Sequence, residues 1–292
     1  MATPPGFTMP TGCSLVGMGV LDGKAVVVTG AGRGLGQAFA VHAARSGASV
    51  VVNDIDGAAE VAEAINAEGG TARSSAHSVA DPNDAEALIA QCVDEFGRID
   101  GLVNNAGLRH AALPWEEDAG RIRALIDVNV LGPLYCGTAA IKKMHAQRGG
   151  TIVNIASLSL LGQRGAGTYS ASKGAVASMT VSWAMDLIDF GVRANAVCPL
   201  AWTRMATADP TTLCTPDNTP DRMAPLVTYL LSPLSENVTG QVIRFAGRSL
   251  HIVQQPARKQ PVLTRESWDV PAIAEAFESL VLEDSPSARW SL

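Results

Sequence analysis

The tightest constraint on this chain is a short β-branched run, Lys24-Ala25-Val26-Val27-Val28, that leads straight into Thr29-Gly30-Ala31-Gly32-Arg33-Gly34-Leu35-Gly36. The run suits a strand buried on both faces of a parallel sheet. The glycines permit a tight turn and close approach of a pyrophosphate to backbone N–H groups at the start of the next helix, which runs to about Ser46. A lone glycine loop can be no more than a turn. Here a second strand, Ser49 to Asn53, follows and closes on Asp54, eighteen residues after Gly36. A carboxylate at that strand end fits a two-point grip on adenosine ribose hydroxyls. The plainer alternative is a turn aspartate beside Asp56 and Gly57.

The strand–helix alternation then continues. A helix is expected over Ala58 to Glu68, a polar strand over Ala72 to Ser78, and a helix over Ala85 to Phe96 capped by Asp81-Pro82-Asn83-Asp84. Ile99 to Val103 reads as the fourth strand and runs into Asn104-Asn105-Ala106-Gly107; one helix follows, about Arg121 to Arg148. Thr151 to Ile155 is an apolar strand ending at Ser157, and a helix opens near Tyr169 and runs to Phe190. Val192 to Cys198, a helix from Asp221 to Leu231 and a strand from Gly240 to Phe245 complete the pattern.

Tyr169 and Lys173 stand four residues apart, so they share one helix face. A free tyrosine ionises near pH ~10, too high for a base at neutral pH, and a lysine ammonium beside it favours the phenolate. A serine hydroxyl at the strand end can bond the same substrate oxygen. Together they make a device for moving a proton to or from an alcohol oxygen. Ser157 is the expected serine, and Ser159 is the alternative.

With these residues quoted, the chain resembles the short-chain dehydrogenases/reductases over roughly Leu21 to Gly247. The resemblance implies an α/β fold: a Rossmann-like, doubly wound parallel sheet of about seven strands with helices on both faces. It also implies an oxidoreductase acting on a secondary alcohol or ketone with NAD(H) or NADP(H). Asn129, Ser157, Tyr169 and Lys173 would be catalytic, with Asn129 holding a water that links Lys173 to solvent. Gly30, Arg33, Gly34, Leu35, Gly36, Asp54, Ser78, Val79, Asn105, Ala106, Gly107, Tyr169, Lys173, Pro199 and Thr203 would bind the cofactor. Asp54 favours NAD over NADP, with Arg33 as the opposing sign. Val50-Val51-Val52-Asn53-Asp54, Thr203-Arg204-Met205 and Met223-Ala224-Pro225-Leu226-Val227 look like the (3R)-hydroxyacyl-CoA dehydrogenase part of peroxisomal multifunctional enzymes. That opens an acyl-CoA or acyl-carrier substrate as the alternative. A dinucleotide-binding sensor or scaffold without turnover is the rival of another class.

Three positions depart from the family pattern. Pro199 is followed by Leu200 where glycine is usual, Ser78 stands where many members carry an adenine-binding Asp, and the Ser157-to-Tyr169 interval is one residue short. By resemblance, residues 203–222 form a lid over the substrate, the alternative being a segment without fixed order. The helices about Arg121 to Arg148 and Gly174 to Phe190 would pair subunits in a tetramer. Arg109, Arg164 and Arg204 either meet an anionic group at the site mouth or are solvated surface.

Composition narrows the rest. The 292 residues suffice for one large domain with an appendage: an arm over 1–21, a catalytic domain over 22–247 and an extension over 248–292, helical from Pro271 to Leu282 and anchored by Trp268, Phe277 and Trp290. A net charge of −6 without a basic run argues against nucleic acid. Five scattered cysteines and five histidines without ligand spacing point to a reducing cytoplasm and no metal. No apolar run approaches the ~20 residues of a membrane span, and no charged leader precedes the apolar patch Leu15 to Leu21.

Overall fold

The β-branched runs assemble into one sheet of eight strands in the order β3-β2-β1-β4-β5-β6-β7-β8. The computed structural model describes residues 19–207, 214–246 and 248–280. The strands are β1 (Ala25–Thr29), β2 (Ser49–Asn53), β3 (Thr71–Ser75), β4 (Gly101–Asn104), β5 (Gly150–Ile155), β6 (Val192–Pro199), β7 (Val242–Ala246) and β8 (Ser249–Ile252). The first seven run parallel, as the sequence predicts. The eighth is an added antiparallel edge, pairing Phe245 with Leu250, and all four of its residues are exposed. Its residues fall within the expected extension; no strand was anticipated there.

Successive residues of a strand face opposite sides, and the two sides bury two cores. Val26, Val28, Val50 and Val52 face α1 (Gly34–Arg45) and α2 (Ala58–Ala67). Ala25, Val27, Val51, Leu102 and Ile152 face Leu88 and Ile89 of α3 (Pro82–Phe96). Strand order reverses between β1 and β4, and the crevice beyond the carboxyl ends at that switch is where such sheets hold ligands. This doubly wound arrangement matches the expected fold.

Several boundaries differ from expectation, and two of them have clear local reasons. β3 stops at Ser75 because Asn53 Nδ2 bonds the His77 carbonyl (2.8 Å) and Asp84 takes the Ser78 N–H (2.9 Å), drawing the chain out of the ladder. The long helix expected from about Arg121 is three pieces: α4 (Ala119–Ile126), a π-helical turn Asp127–Leu131, and α5 (Gly132–Gln147). Pro133 lacks the N–H that an α-helix would give to the Asn129 carbonyl, and its ring would strike that carbonyl. The helix widens there, a device frequent at functional sites. Ala119–Gln147 is long and apolar enough to cross a membrane by length and composition alone. Its apolar side chains serve the core, since Cys136, Ala140 and Met144 are fully buried.

α6 (Gly167–Leu187) packs on α5 through Trp183, whose ring occupies the space a Cβ on Gly137 would need. Met144, Ala177 and Leu187, expected at a subunit contact, are buried in the chain's own core; Met185 and Ile188 are the exposed apolar residues of that helix and its end. α7 (Arg204–Thr207) and α8 (Ala224–Leu231) follow β6. Residues 208–213 of the expected lid, 1–18 of the arm, and Trp290 lie outside the described residues.

The chain divides into two units, Met1–Val253 and Gln254–Leu292. In the second, α9 (Val270–Ser279) is capped by Asp269, which accepts from the Ala272 N–H at 2.8 Å. Arg265 bonds Glu275 (2.9 Å) and lies over the Trp268 ring; Phe277 is exposed.

Candidate active site

The glycine turn works as the sequence predicts. Gly30 has φ +62 and Gly34 φ +60, backbone that glycine tolerates best. A Cβ on Gly30 would come within 2.7 Å of Ala106 Cα, so the turn and the loop after β4 press together. Asn105 locks them: its Nδ2 donates to the carbonyls of Thr29 and Gly30, each at 2.9 Å. Thr29 Oγ1 accepts the N–H groups of Asn105 and Ala106. Asn105 is thus a brace of the cofactor loop.

The start of α1 fits a diphosphate. Arg33 supplies no side-chain cap and no acid lies in the first turn, so the first N–H groups keep their positive end uncovered. Above Gly34 there is room: the nearest atom to an added Cβ is Thr203 Cγ2, at 3.8 Å. Leu35 packs against the core, Gly36 is buried, and its Cβ would collide with the Gly30 carbonyl. Asp54 Oδ2 accepts the Gly32 N–H (2.9 Å), which holds the carboxylate at the rim of the turn. Arg33, the residue opposing an NAD preference, pairs with Asp56 at 3.3 Å. Ser78 Oγ bonds the Ala80 N–H, and Val79 lies against Gly132 of the π-helical junction.

Ser157, Tyr169 and Lys173 come together beyond β5. Ser157 starts a short 3-10 turn, with its Oγ accepting the Ser159 N–H (3.2 Å), and its side chain acts on the Tyr169 phenol, pulling its pKa down. Ser159, the alternative serine, is buried with its Oγ unpartnered. Lys173 lies in the interior, donates to the Ile155 carbonyl (2.7 Å) and holds Nζ 5.6 Å from the Tyr169 ring centroid. Burial pushes its ammonium down to about 8. Gly107 completes the floor: a Cβ there would meet Asn129 Oδ1 at 3.5 Å and Lys173 Nζ at 3.8 Å.

The expected electrostatics need correcting. Tyr169 is raised above its ordinary pKa because burial outweighs the Ser157 hydrogen bond and the positive charge of Arg109, which both pull down. Arg109 is a cation that pulls the phenol down, while the Lys173 ammonium, 5.6 Å from the ring centroid, also donates to a backbone carbonyl. Arg109 had two sequence readings; the structure puts its guanidinium over the tyrosine ring, while Arg164 and Arg204 are exposed. The Asn129 amide is held by three bonds: Oδ1 accepts the Leu108 N–H (2.7 Å) and Nδ2 donates to the Leu108 carbonyl and Ser172 Oγ. Its main-chain carbonyl is the group that Pro133 deprives of an α-helical donor.

Pro199 ends β6 with its carbonyl held by Arg244 (3.2 Å), and Leu200 extends the ladder through its N–H to Phe245 (2.9 Å). Thr203 opens α7, accepting the Ala206 N–H. The sequence reading missed a buried polar relay across β4, β5 and α6: Asn104 Nδ2 to Asn154 Oδ1 (2.8 Å), then Asn154 Nδ2 to Thr180 Oγ1 (2.9 Å). Asn in two adjacent buried strands was the available signal. Among the described residues no cluster of His, Cys, Asp and Glu has metal-holding geometry.

Comparison with known proteins accords with this geometry. The sequence model of the short chain dehydrogenase family matches residues 24–211. The 3-oxoacyl-[acyl-carrier-protein] reductase of Synechocystis is 35% identical over 243 residues, 79% of this chain and 98% of that protein. The crystal structure of a short chain dehydrogenase from Mycobacterium avium superposes with TM-score 0.81 and 33% identity, covering 90% of this chain and 98% of that one. A gluconate 5-dehydrogenase from Burkholderia cenocepacia, in complex with NADP and tartrate, gives TM-score 0.72 and 31% identity over 78% of this chain and 95% of that one.

Proposed function

The chain belongs to the short-chain dehydrogenase/reductase family, whose members are dinucleotide-dependent oxidoreductases, and on that premise we propose that it interconverts a secondary alcohol and its ketone with NAD(H). The observation that carries the reading is the convergence of three side chains: the buried Tyr169, the Ser157 side chain that acts on its phenol, and the Lys173 ammonium 5.6 Å from its ring centroid. In the reductive direction Tyr169 donates its phenolic proton to the carbonyl oxygen, and in the oxidative direction it takes that proton back. Ser157 donates to the same oxygen and stabilises the charge that develops on it. Lys173 binds the nicotinamide ribose, and the Asn129 carbonyl holds the water that passes protons to solvent. When bound, the nicotinamide supplies or accepts the hydride.

The first turn of α1 takes the diphosphate, and Asp54 takes the adenosine ribose hydroxyls. NAD is preferred because Asp54 would face the 2′-phosphate of NADP, while Arg33 is already engaged with Asp56. One solved relative holds NADP, so both cofactors are tested. An acyl-thioester substrate is the second reading, favoured by the acyl-carrier-protein reductase among the relatives and by the multifunctional-enzyme resemblance. A sensor without turnover would need only the glycine turn and Asp54; the Ser157, Tyr169 and Lys173 arrangement is superfluous for it.

We assign the catalytic domain to 22–253, since β8 adds to its sheet, with 1–21 as an arm and 254–292 as an extension. A homotetramer is the proposed assembly, and a reducing cytoplasm suits the free, buried Cys92, Cys136 and Cys198. The test is the absorbance of the reduced cofactor with a panel of hydroxy, keto and 3-oxoacyl thioester compounds. Turnover confined to the thioesters would favour the second reading, and no turnover with any of them would favour the sensor.

A further inference from the structure

We propose that Glu117 is a positioning residue that ties the first turn of the catalytic helix to a distant loop and so fixes the placement of Tyr169. The proposal rests on the reading that Tyr169 moves the proton.

α6 begins without help from its own sequence. Its N-cap is Ala166, which makes no side-chain cap, and its first turn holds no acid. A 21-residue helix leaves several N–H groups at that end needing an acceptor, with a positive dipole to match. Tyr169 sits in that same first turn, two residues past Gly167, where fraying would cost the most.

Glu117 brings a carboxylate to this helix end and holds the side chain of its second residue. Its Oε1 accepts the Thr168 hydroxyl at 2.6 Å, a short charge-assisted bond. Its Oε2 accepts His110 Nε2–H at 2.9 Å. The two side chains are only 12% and 10% exposed, so solvent competes weakly for these bonds. The same loop is stitched to the helix start one turn earlier, where the Ala112 N–H bonds the Gly165 carbonyl (2.9 Å) and Ala112 bridges Ala166.

His110 follows Arg109, whose guanidinium lies over the Tyr169 ring. Leu108, on the other side of Arg109, is clamped by Asn129. Glu117 thus joins the residue before Tyr169 to the loop that carries the cation above it. A fraction of an ångström in either would misplace the phenol relative to the reacting oxygen.

The test compares wild type, Glu117→Gln, Thr168→Val, Thr168→Ser, the Glu117→Gln/Thr168→Val double variant and Tyr169→Phe by steady-state kinetics and thermal melting. Each of the Gln and Val variants is expected to lower kcat by about tenfold or more, with the cofactor KM unchanged. Thr168→Ser, which keeps the hydroxyl, retains activity. The double variant is no worse than the poorer single, because both act through one bond. Wild-type kcat in the single variants, or losses that multiply in the double, would overturn the role of Glu117. Should Glu117→Gln fail to fold, the Thr168→Val and Thr168→Ser pair decides alone. Turnover by Tyr169→Phe overturns the reading beneath the proposal; an inactive Tyr169→Phe beside a fully active Glu117→Gln overturns only the proposal.

Discussion

Arg109 holds its guanidinium carbon 5.7 Å from the centroid of the Tyr169 ring. Burial raises the phenol above its ordinary value, and Ser157 and Arg109 work against that. At neutral pH Tyr169 is therefore protonated, the form that donates to a ketone. Alcohol oxidation needs the phenolate, so kcat/KM for oxidation should climb with pH toward the raised tyrosine value, without levelling off below pH ~10. At 5.7 Å a unit charge pair is worth about 0.7 kcal/mol at the dielectric of water and about 3 kcal/mol at 20. Arg109 is half-buried, which places its effect toward the lower value. Arg109→Ala should move the oxidation profile to higher pH and lower the rate at pH 8 a few-fold. A profile that does not move would detach Arg109 from the phenol.

Asp54 sets the second prediction. Its Oδ2 is anchored by the Gly32 N–H, so the carboxylate cannot swing away from an arriving 2′-phosphate without losing that bond. Two unit charges at ~4 Å repel by about 4 kcal/mol at an effective dielectric near 20. Half of that still gives more than tenfold discrimination. Wild type should prefer NAD by at least about tenfold in kcat/KM, and Asp54→Ala should narrow the gap. Equal use of NADP by wild type would show that Arg33 outweighs Asp54.

Lys173 couples the site to stability. Its folded pKa of about 8 lies below the ordinary lysine value of ~10.4. The folded state therefore binds fewer protons between those two pH values, and the penalty for burying the charge, full below pH 8, is relieved as pH rises to ~10.4. The penalty is at most about 3 kcal/mol, against about 1–3 kcal/mol for leaving the Ile155 carbonyl unpaired. Lys173→Met should abolish turnover, and the difference in Tm between variant and wild type should favour the variant more at pH 7 than at pH 10. A pH-independent difference would mean that Lys173 is not the buried ammonium described here.

The sheet and the grouping of Ser157, Tyr169 and Lys173 were legible because their signals are local. β-branched runs, glycines at a turn and an i, i+4 pair depend on neighbours in sequence. What escaped depends on partners far apart. Glu117 and Thr168 are separated by fifty-one positions, and nothing near either one announces the bond. Arg109 reads as an ordinary surface cation until the loop after β4 folds over α6. The π-helical turn was hidden because one widened turn hardly disturbs a helical period, although Pro133 inside an apolar helix was a sign. The raised phenol was the misjudged physics: counting charges at helical spacing neglects the cost of burying Tyr169.

The central claim is that Tyr169 carries the proton while the rest of the site holds the cofactor. Tyr169→Phe removes one oxygen and leaves the glycine turn, Asp54 and the bond from Lys173 to Ile155 untouched. The measurement is turnover and cofactor affinity of this variant side by side, the first by cofactor absorbance and the second by calorimetric titration. The account predicts a loss of about 10²–10⁴-fold in kcat with cofactor affinity close to wild type. Near-wild-type turnover by Tyr169→Phe would contradict it.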